Sequence, residues 1–600
     1  MTPTTDTYVL LRAFVDELAR CGMRAACTSP GSRSAPLALS LAREQRLRCY
    51  SHIDERCAGF FALGLAKASA LPVAVTCTSG TAVAELAPAV IEAREARVPL
   101  LLLTADRPPE LRENGAGQAI DQIKIFGSAV KWFFEVGVHD ASPTRLRWMR
   151  TLACRAYWST LEGRPGPVHL NFPLREPLVE DEGLPEDPSA RGDGRPYVLR
   201  APGGSASSTG PVEPSAEAGE LRALVSGARR GVLVAGRHER STPLGRAAAA
   251  FAETVGWPLL GDPLSGARQG SAAIAHYDAF LRDSGTAASL CPDLVVRVGD
   301  LPVSKPLRNW LAALDGVPQV ALDPEGAWQD PDSVLSHSMA LEPANALTEL
   351  TEARLQGAGR WVPAEEDWLA RWRSADELAA EAIAGVLAEA GLSEPAVASE
   401  LGVLLPGQAM LFVASSMPVR DIETFWPARE DPPRVLCNRG ANGIDGTVSS
   451  AFGVAAADDG PVVLLIGDVA LAHDIGGLLA AGRLGLKLAI VLLNNGGGGI
   501  FDFLPLSQAS MAQAPDPHAG DGASIYSRHV STPTGLGFAK AADLYGLAHE
   551  RAEDVPAFRA ALERALARDS SSIVEVRTAR AENVRLHRHI WSAVSEQAMQ

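Results

Sequence analysis

Positive charge is in short supply along this 600-residue chain, which carries 55 lysines and arginines against 71 aspartates and glutamates, a formal net charge of −16. That balance excludes nucleic acid and an anionic membrane surface as the main partner, because either requires a broad basic face. Cysteine is scarce as well: the eight present form no CxxC and no metal-type spacing. They read as small reduced thiols and point to the cytoplasm rather than to a disulfide scaffold. Long apolar runs are missing, since PVVLLIG (461–467) and LAIVLL (488–493) fall far short of the roughly 18 residues that span a bilayer. The N-terminal MTPTTDTYVLLRAFVDELARCGM has no basic region followed by an apolar run and a cleavage site, so an amphipathic helix is expected there rather than a signal peptide. No GxGxxG follows a strand around VLVAGRHERS (232–241), which removes the usual dinucleotide fingerprint.

What the chain does have is alternation. Short runs rich in valine and leucine (PVAVTCTSG, PLLLLTAD, GVLVAG, DLVVRVGD, AMLFVASS, PVVLLIGD, LKLAIVLLNN, SSIVEVR) are separated by alanine-rich helical patterns. Runs apolar on both faces imply strands covered on both sides, hence an α/β chain of mostly parallel sheets flanked by helices. The length is too great for one core. A stretch dense in Pro, Gly and Ser after residue 182 reads as a linker that does not pack, and a weaker break lies near LQGAGRWVPAEEDW (355–368). Three α/β domains are therefore expected, 1–182, 211–355 and 365–600, joined by a linker at 183–210. The polar stretch 507–535 reads either as a mobile lid or as a plain surface insertion.

The chemistry concentrates where two predicted strands end. One closes in Gly467-Asp468 and the next in Asn494-Asn495, followed by four glycines and Ile500-Phe501. In a parallel βαβ unit both ends emerge at the carboxyl edge of the sheet, where ligands bind. A carboxylate, an amide oxygen and a backbone carbonyl form a hard-oxygen set suited to Mg²⁺ with phosphate. Alternatively, Asp468 caps its helix and the glycines form a loose turn.

The two pairs together resemble the signature of the thiamine diphosphate (ThDP)-dependent enzymes, GD followed some 25 to 30 residues later by NN. The resemblance implies Asp468, Asn495 and the carbonyl of Gly497 as ligands of Mg²⁺ or Mn²⁺, with Gly467 beside the diphosphate. It also implies a glutamate that hydrogen-bonds the aminopyrimidine ring. Glu55, in SHIDERCAGFFALGLAKAS (51–69), stands at a helix start ahead of a partly apolar helix and a TSGTA turn containing Gly80. A plain acid facing the helix dipole is the other reading of Glu55, and Asp54 suits that role better.

Four further motifs, TSPGSRSAPLALSLA (28–42), TADRPPELRENGAGQAIDQ (104–122), SSMPVRDIE (415–423) and NRGANGIDGTVSSAFG (438–453), resemble one branch of that family. Its members decarboxylate 2-oxoglutarate and add the succinyl carbanion equivalent to isochorismate in menaquinone biosynthesis. By this resemblance Ser32, Arg33, Arg107, Gln118, Lys305, Arg420 and Arg439 are substrate contacts, and Ser416 and Ile444 touch the cofactor. Ile500, Phe501 and Leu504 form the apolar wall over the thiazolium. Two dianionic substrates call for guanidinium groups able to pair with carboxylates. The family pattern also implies a homodimer or homotetramer with active sites between subunits, and a central domain that is structural or oligomer-forming. Departures occur at Gly117, where asparagine is common, at Pro306, where an arginine would follow Lys305, and in TPTGLGF (532–538), which lacks a histidine.

Overall fold

A computed structural model describes residues 3–179, 183–185, 187–200, 215–238, 244–457 and 460–598. The apolar runs form three six-stranded sheets, and every strand pairing in them is parallel. The first runs Arg48–Ser51, Ala25–Thr28, Val73–Cys77, Leu100–Asp106, Val168–Pro173, Trp132–Glu135 across its width. The third repeats that order with Arg434–Cys437, Met410–Val413, Val462–Gly467, Ala489–Asn494, Ser572–Arg577 and Ala548–Ala552. In both, the chain lays its second strand outside the first and then crosses to the other side. The reversal leaves a crevice at the carboxyl ends of the two strands flanking it. The second sheet has a different, doubly wound order that reverses between Gly231–Ala235 and Leu294–Val298.

The chain forms two compact units. One comprises Met1–Ser207, Asn438–Asp459 and His473–Leu488, the other Ser208–Cys437, Gly460–Ala472 and Ala489–Gln600.

In the first unit the helix Glu55–Ser69 is buried along most of its length and packs on Thr447–Ala455. Two glycines set the approach: a Cβ on Gly64 would sit 1.9 Å from the Ser450 carbonyl oxygen, and one on Gly453 would sit 2.0 Å from that of Phe61. Backbone cannot yield as a side-chain tip can. Gly64→Val is therefore expected to cost about 3 kcal/mol, read as a lowered denaturation midpoint with unchanged slope.

The expected loose linker is partly packed. Arg150 is fully buried on the helix Pro143–Leu161, where it pairs with Asp16 and Glu17 at 2.7 Å and with Asp187 at 2.6 Å, while its Nε donates to Ser189. Burying one guanidinium required three carboxylates, and one of them pins this segment, a demand that a Pro/Gly/Ser composition does not reveal. Residues 201–214 lie outside the described residues.

In the second unit the helix Trp368–Ala390 buries Trp368 and Trp372 completely. Trp368 donates to the Gly231 carbonyl at 2.8 Å, and Trp372 meets Trp310 and Phe280 edge-on. Among the described residues no helix is long and apolar enough to cross a membrane.

Candidate active site

The strands Val462–Gly467 and Ala489–Asn494 are parallel neighbours, with Gly467 opposite Leu493. Their tips bring Asp468 and Asn495 to one edge. Asp468 is 2% exposed and begins the helix Asp468–His473. Burial pushes its carboxyl up to about 6, against N–H groups of Val469 and Gly497 and the nearby Arg580 guanidinium, which oppose the rise. One of its oxygens, Oδ2, is buried without a partner, as is Oδ1 of Asn495. Two buried acceptors without donors are costly. A cation held by both would relieve that cost.

The two asparagines diverge as consecutive strand residues do. Asn494 donates to Glu575 at 2.7 Å across the sheet, and Asn495 donates to Glu394 at 2.9 Å. The glycines then turn the chain sharply. Gly497 has φ 137°, and a Cβ there would lie 2.5 Å from the Ser531 carbonyl oxygen, so no side chain fits. Its own carbonyl accepts from Gly499 N–H at 2.9 Å and keeps one lone pair. A Cβ on Gly467 would meet nothing within 4 Å, which leaves open space directly before the strand tip.

Beside this edge the second unit holds a cleft of about 410 Å³. Lys305, Arg420, Ile500 and Leu504 line it, together with Arg308 and Phe503. Phe501 does not line the cleft: its ring folds over Gly498, where an added Cβ would be 2.9 Å away. The cause is local. Gly499–Phe503 forms a 3₁₀ turn, whose three-residue repeat puts Ile500 and Phe503 on one face and turns Phe501 out. Ser416 caps the helix Met417–Phe425 with φ 77°, and its carbonyl accepts from Arg420 Nη1 at 2.6 Å. The stretch 507–535 is folded, with a helix at Ser510–Gln513, a bridge between Pro515 and Ser524, and a π-turn at Ser527–Ser531.

In the first unit Asp54 caps the helix Glu55–Ser69, accepting from Arg56 and Cys57 N–H at 2.8 and 3.2 Å. The cap role thus falls to Asp54 and leaves Glu55 half-buried, in no ion pair among the described residues. Burial holds its carboxyl above the usual range, and Asp54 and Glu85 add to the rise. Arg33 and Arg107 are both buried; Arg33 donates to the Leu174 carbonyl at 2.7 Å and pairs with Glu176 at 3.0 Å. Burial, and then the adjacent Arg33 charge, pull Arg107 below its usual value. Ser32 and Gln118 are exposed, and the Gln118 backbone (φ 56°) packs 3.4 Å from where a Gly80 side chain would begin. Arg439 and Ile444 are half-buried in the loop ahead of Thr447–Ala455.

Comparison with known proteins matches residues 10–125 to the thiamine pyrophosphate enzyme N-terminal TPP binding domain, 217–413 to the middle domain of thiamine pyrophosphate enzymes, and 419–576 to the C-terminal TPP binding domain. The chain is 42% identical to the 2-succinyl-5-enolpyruvyl-6-hydroxy-3-cyclohexene-1-carboxylate synthase of Geobacillus kaustophilus, with 98% of each sequence covered. It is 41% identical to the synthases of Chloroflexus aurantiacus (97% of this chain, 95% of the relative) and Halobacterium salinarum (96% of each). The chain belongs to this synthase family.

Membership of the synthase family makes thiamine diphosphate the cofactor, and the strand-tip residues fit its diphosphate end: open space before Gly467 and two partnerless oxygens for a bridging cation. Several supporting residues have no signal in the local sequence. Glu92, 3% exposed and 3.5 Å from Lys67, accepts from the N–H groups of Gly440 and Ala441 and so fixes the loop that carries Arg439 and Ile444. Gln122, 1% exposed, accepts from Gly80 N–H at 3.0 Å. Arg580 has Nη1 buried without a partner next to Gly497. A second group of possible ligands, Glu17, Cys21 and Cys154, is already satisfied: Glu17 accepts from Arg150 and Tyr197, and Cys154 from Val198 N–H. All eight cysteines are free thiols.

Proposed function

We propose that the chain catalyses the reaction for which its relatives are named: loss of carbon dioxide from 2-oxoglutarate and conjugate addition of the remaining four-carbon unit to isochorismate, in the cytoplasm, as a homodimer or homotetramer with active sites between subunits. The observation that carries this reading is the pair of buried, partnerless oxygens on Asp468 and Asn495 beside the open face of Gly467. A Mg²⁺ or Mn²⁺ ion would be held by those two oxygens and the Gly497 carbonyl. Bound thiamine diphosphate supplies a thiazolium that accepts the electron pair released on decarboxylation.

The chain's own residues do the rest. Glu55, held above the usual carboxylate range by burial, would hold and move a proton at its carboxyl opposite the aminopyrimidine ring of bound thiamine diphosphate. Gly80 and Ile444 support the ring. Arg33 and Arg107, with Ser32, Gln118 and Arg439, all in the first unit, take substrate carboxylates. Lys305 and Arg420 do so in the cleft, whose wall of Ile500, Leu504 and Phe503 excludes water from the reacting carbon. Carbon dioxide release from 2-oxoglutarate, measured with and without isochorismate in the presence of ThDP and Mg²⁺, tests the reading. Turnover of pyruvate instead would overturn it in favour of another ThDP enzyme.

Where Pro306 replaces a cation, Arg308 stands one turn along the helix Lys305–Ala312, lines the same cleft and has a buried, partnerless Nε. Arg308→Ala is expected to raise KM for one of the two dicarboxylates by roughly tenfold, the loss of one charge-assisted hydrogen bond, with a smaller effect on kcat. Steady-state kinetics with each substrate varied in turn will show it.

A further inference from the structure

A carboxamide can turn either its oxygen or its NH₂ toward a neighbour, and only the oxygen can bind a cation. Something must therefore choose for Asn495. Glu394, the first residue of the helix Glu394–Leu404 and 1% exposed, lies on the other side of the amide. Its Oε1 accepts from Asn495 Nδ2 at 2.9 Å and from the Thr578 hydroxyl at 2.9 Å. Thr578 is in turn tied to the strand by its N–H, which donates to the Asn494 carbonyl at 3.1 Å. The result is visible in the structure: the amide NH₂ is engaged, and Asn495 Oδ1 is left buried, without a partner and beside Asp468. Burial, and then the nearby Asp421 charge, push the Glu394 carboxyl up to about 7, and no guanidinium or ammonium pairs with it among the described residues.

We propose that Glu394 is a positioning residue that fixes which atom of the Asn495 amide faces the cation. It rests on the metal-site reading above and adds to it a residue 101 positions away in sequence. The Glu394 oxygen that accepts from the NH₂ group thereby aims the amide oxygen, in the way that outer-shell partners orient metal ligands.

The test uses the full chain, freed of metal, titrated with Mn²⁺ in the presence of ThDP and followed by the electron paramagnetic resonance of free Mn²⁺. Glu394→Ala should weaken Mn²⁺ binding roughly 10- to 100-fold, whereas Glu394→Gln, which keeps an acceptor oxygen, should stay within a few-fold of the parent. Asn495→Asp sets two carboxylates against each other and should bind Mn²⁺ poorly. Adding Glu394→Gln to it should restore binding, because the new NH₂ can donate to the new carboxylate. Circular dichroism shows which variants are folded, and if Glu394→Ala is not, the near-isosteric pair Asn495→Asp and Asn495→Asp/Glu394→Gln decides the matter. A folded Glu394→Ala protein with parental Mn²⁺ affinity overturns the proposal, as does a double variant no better than Asn495→Asp alone. A parent that binds no Mn²⁺ sinks the metal site itself, and this inference with it.

Discussion

Glu55→Gln is expected to lower turnover by on the order of 10³-fold while leaving ThDP bound with nearly parental affinity. The substitution changes almost no volume. It spares the helix start, because the cap hydrogen bonds to Arg56 and Cys57 N–H belong to Asp54. If Glu55 served only the helix dipole, its replacement would cost about 0.3–1 kcal/mol of stability and leave kcat alone. Asp54→Ala is the matching control, with loss of about 1 kcal/mol through the cap and little effect on the chemical step. The carboxyl is held above its usual range by burial, so the acid limb of the parent's kcat/KM profile should lie nearer neutrality than an ordinary glutamate would place it. That limb should be absent from the Gln variant. Single-turnover release of carbon dioxide from 2-oxoglutarate, run alongside a ThDP titration, separates binding from proton transfer. Parental turnover by Glu55→Gln would remove the residue from the mechanism.

The sequence carried the strand tips plainly because their signals are local. Apolar runs of fixed period locate the strands, and GD and NN sit where parallel strands must end, so the adjacency of Asp468 and Asn495 follows from register alone. What escaped is what depends on distance or on local helical pitch. Glu394 reaches Asn495 across 101 residues, Gln122 holds Gly80 across 42, and Glu92 holds Gly440 across 348. No window of sequence contains both members of any such pair. Phe503 lines the cleft and Phe501 does not, because a 3₁₀ turn and an irregular loop look alike in composition, yet only the former puts residues three apart on one face. The buried Arg150 shows the converse error: a stretch that reads as a linker by its Pro, Gly and Ser is fastened through Asp187 and Ser189 to a charge no local pattern places in the core. The repeated strand order of the first and third sheets is likewise a property of topology, and their strands share no residue pattern that would announce it.

Asp468→Asn should produce opposite effects in the absence and presence of ligand. The Asp468 carboxylate is 2% exposed with Oδ2 unpartnered, and its burial is opposed by only a few N–H groups and the nearby Arg580 charge. Neutralising it removes an uncompensated buried charge, so the metal-free variant should be at least as stable as the parent, by roughly 1 kcal/mol. With Mg²⁺ and ThDP the order reverses. Ligand present at a hundredfold over its dissociation constant adds about 2.7 kcal/mol to a protein that binds it, and the variant, having lost its only anionic ligand in the set, should gain little. Turnover should fall below detection at the same time. Melting curves of both proteins, with and without Mg²⁺ and ThDP, will show whether the lines cross. A variant that gains as much from ligand as the parent does would show that Asp468 does not hold the cation. A metal-free variant markedly less stable than the parent would mean that the carboxylate serves the fold rather than a cation.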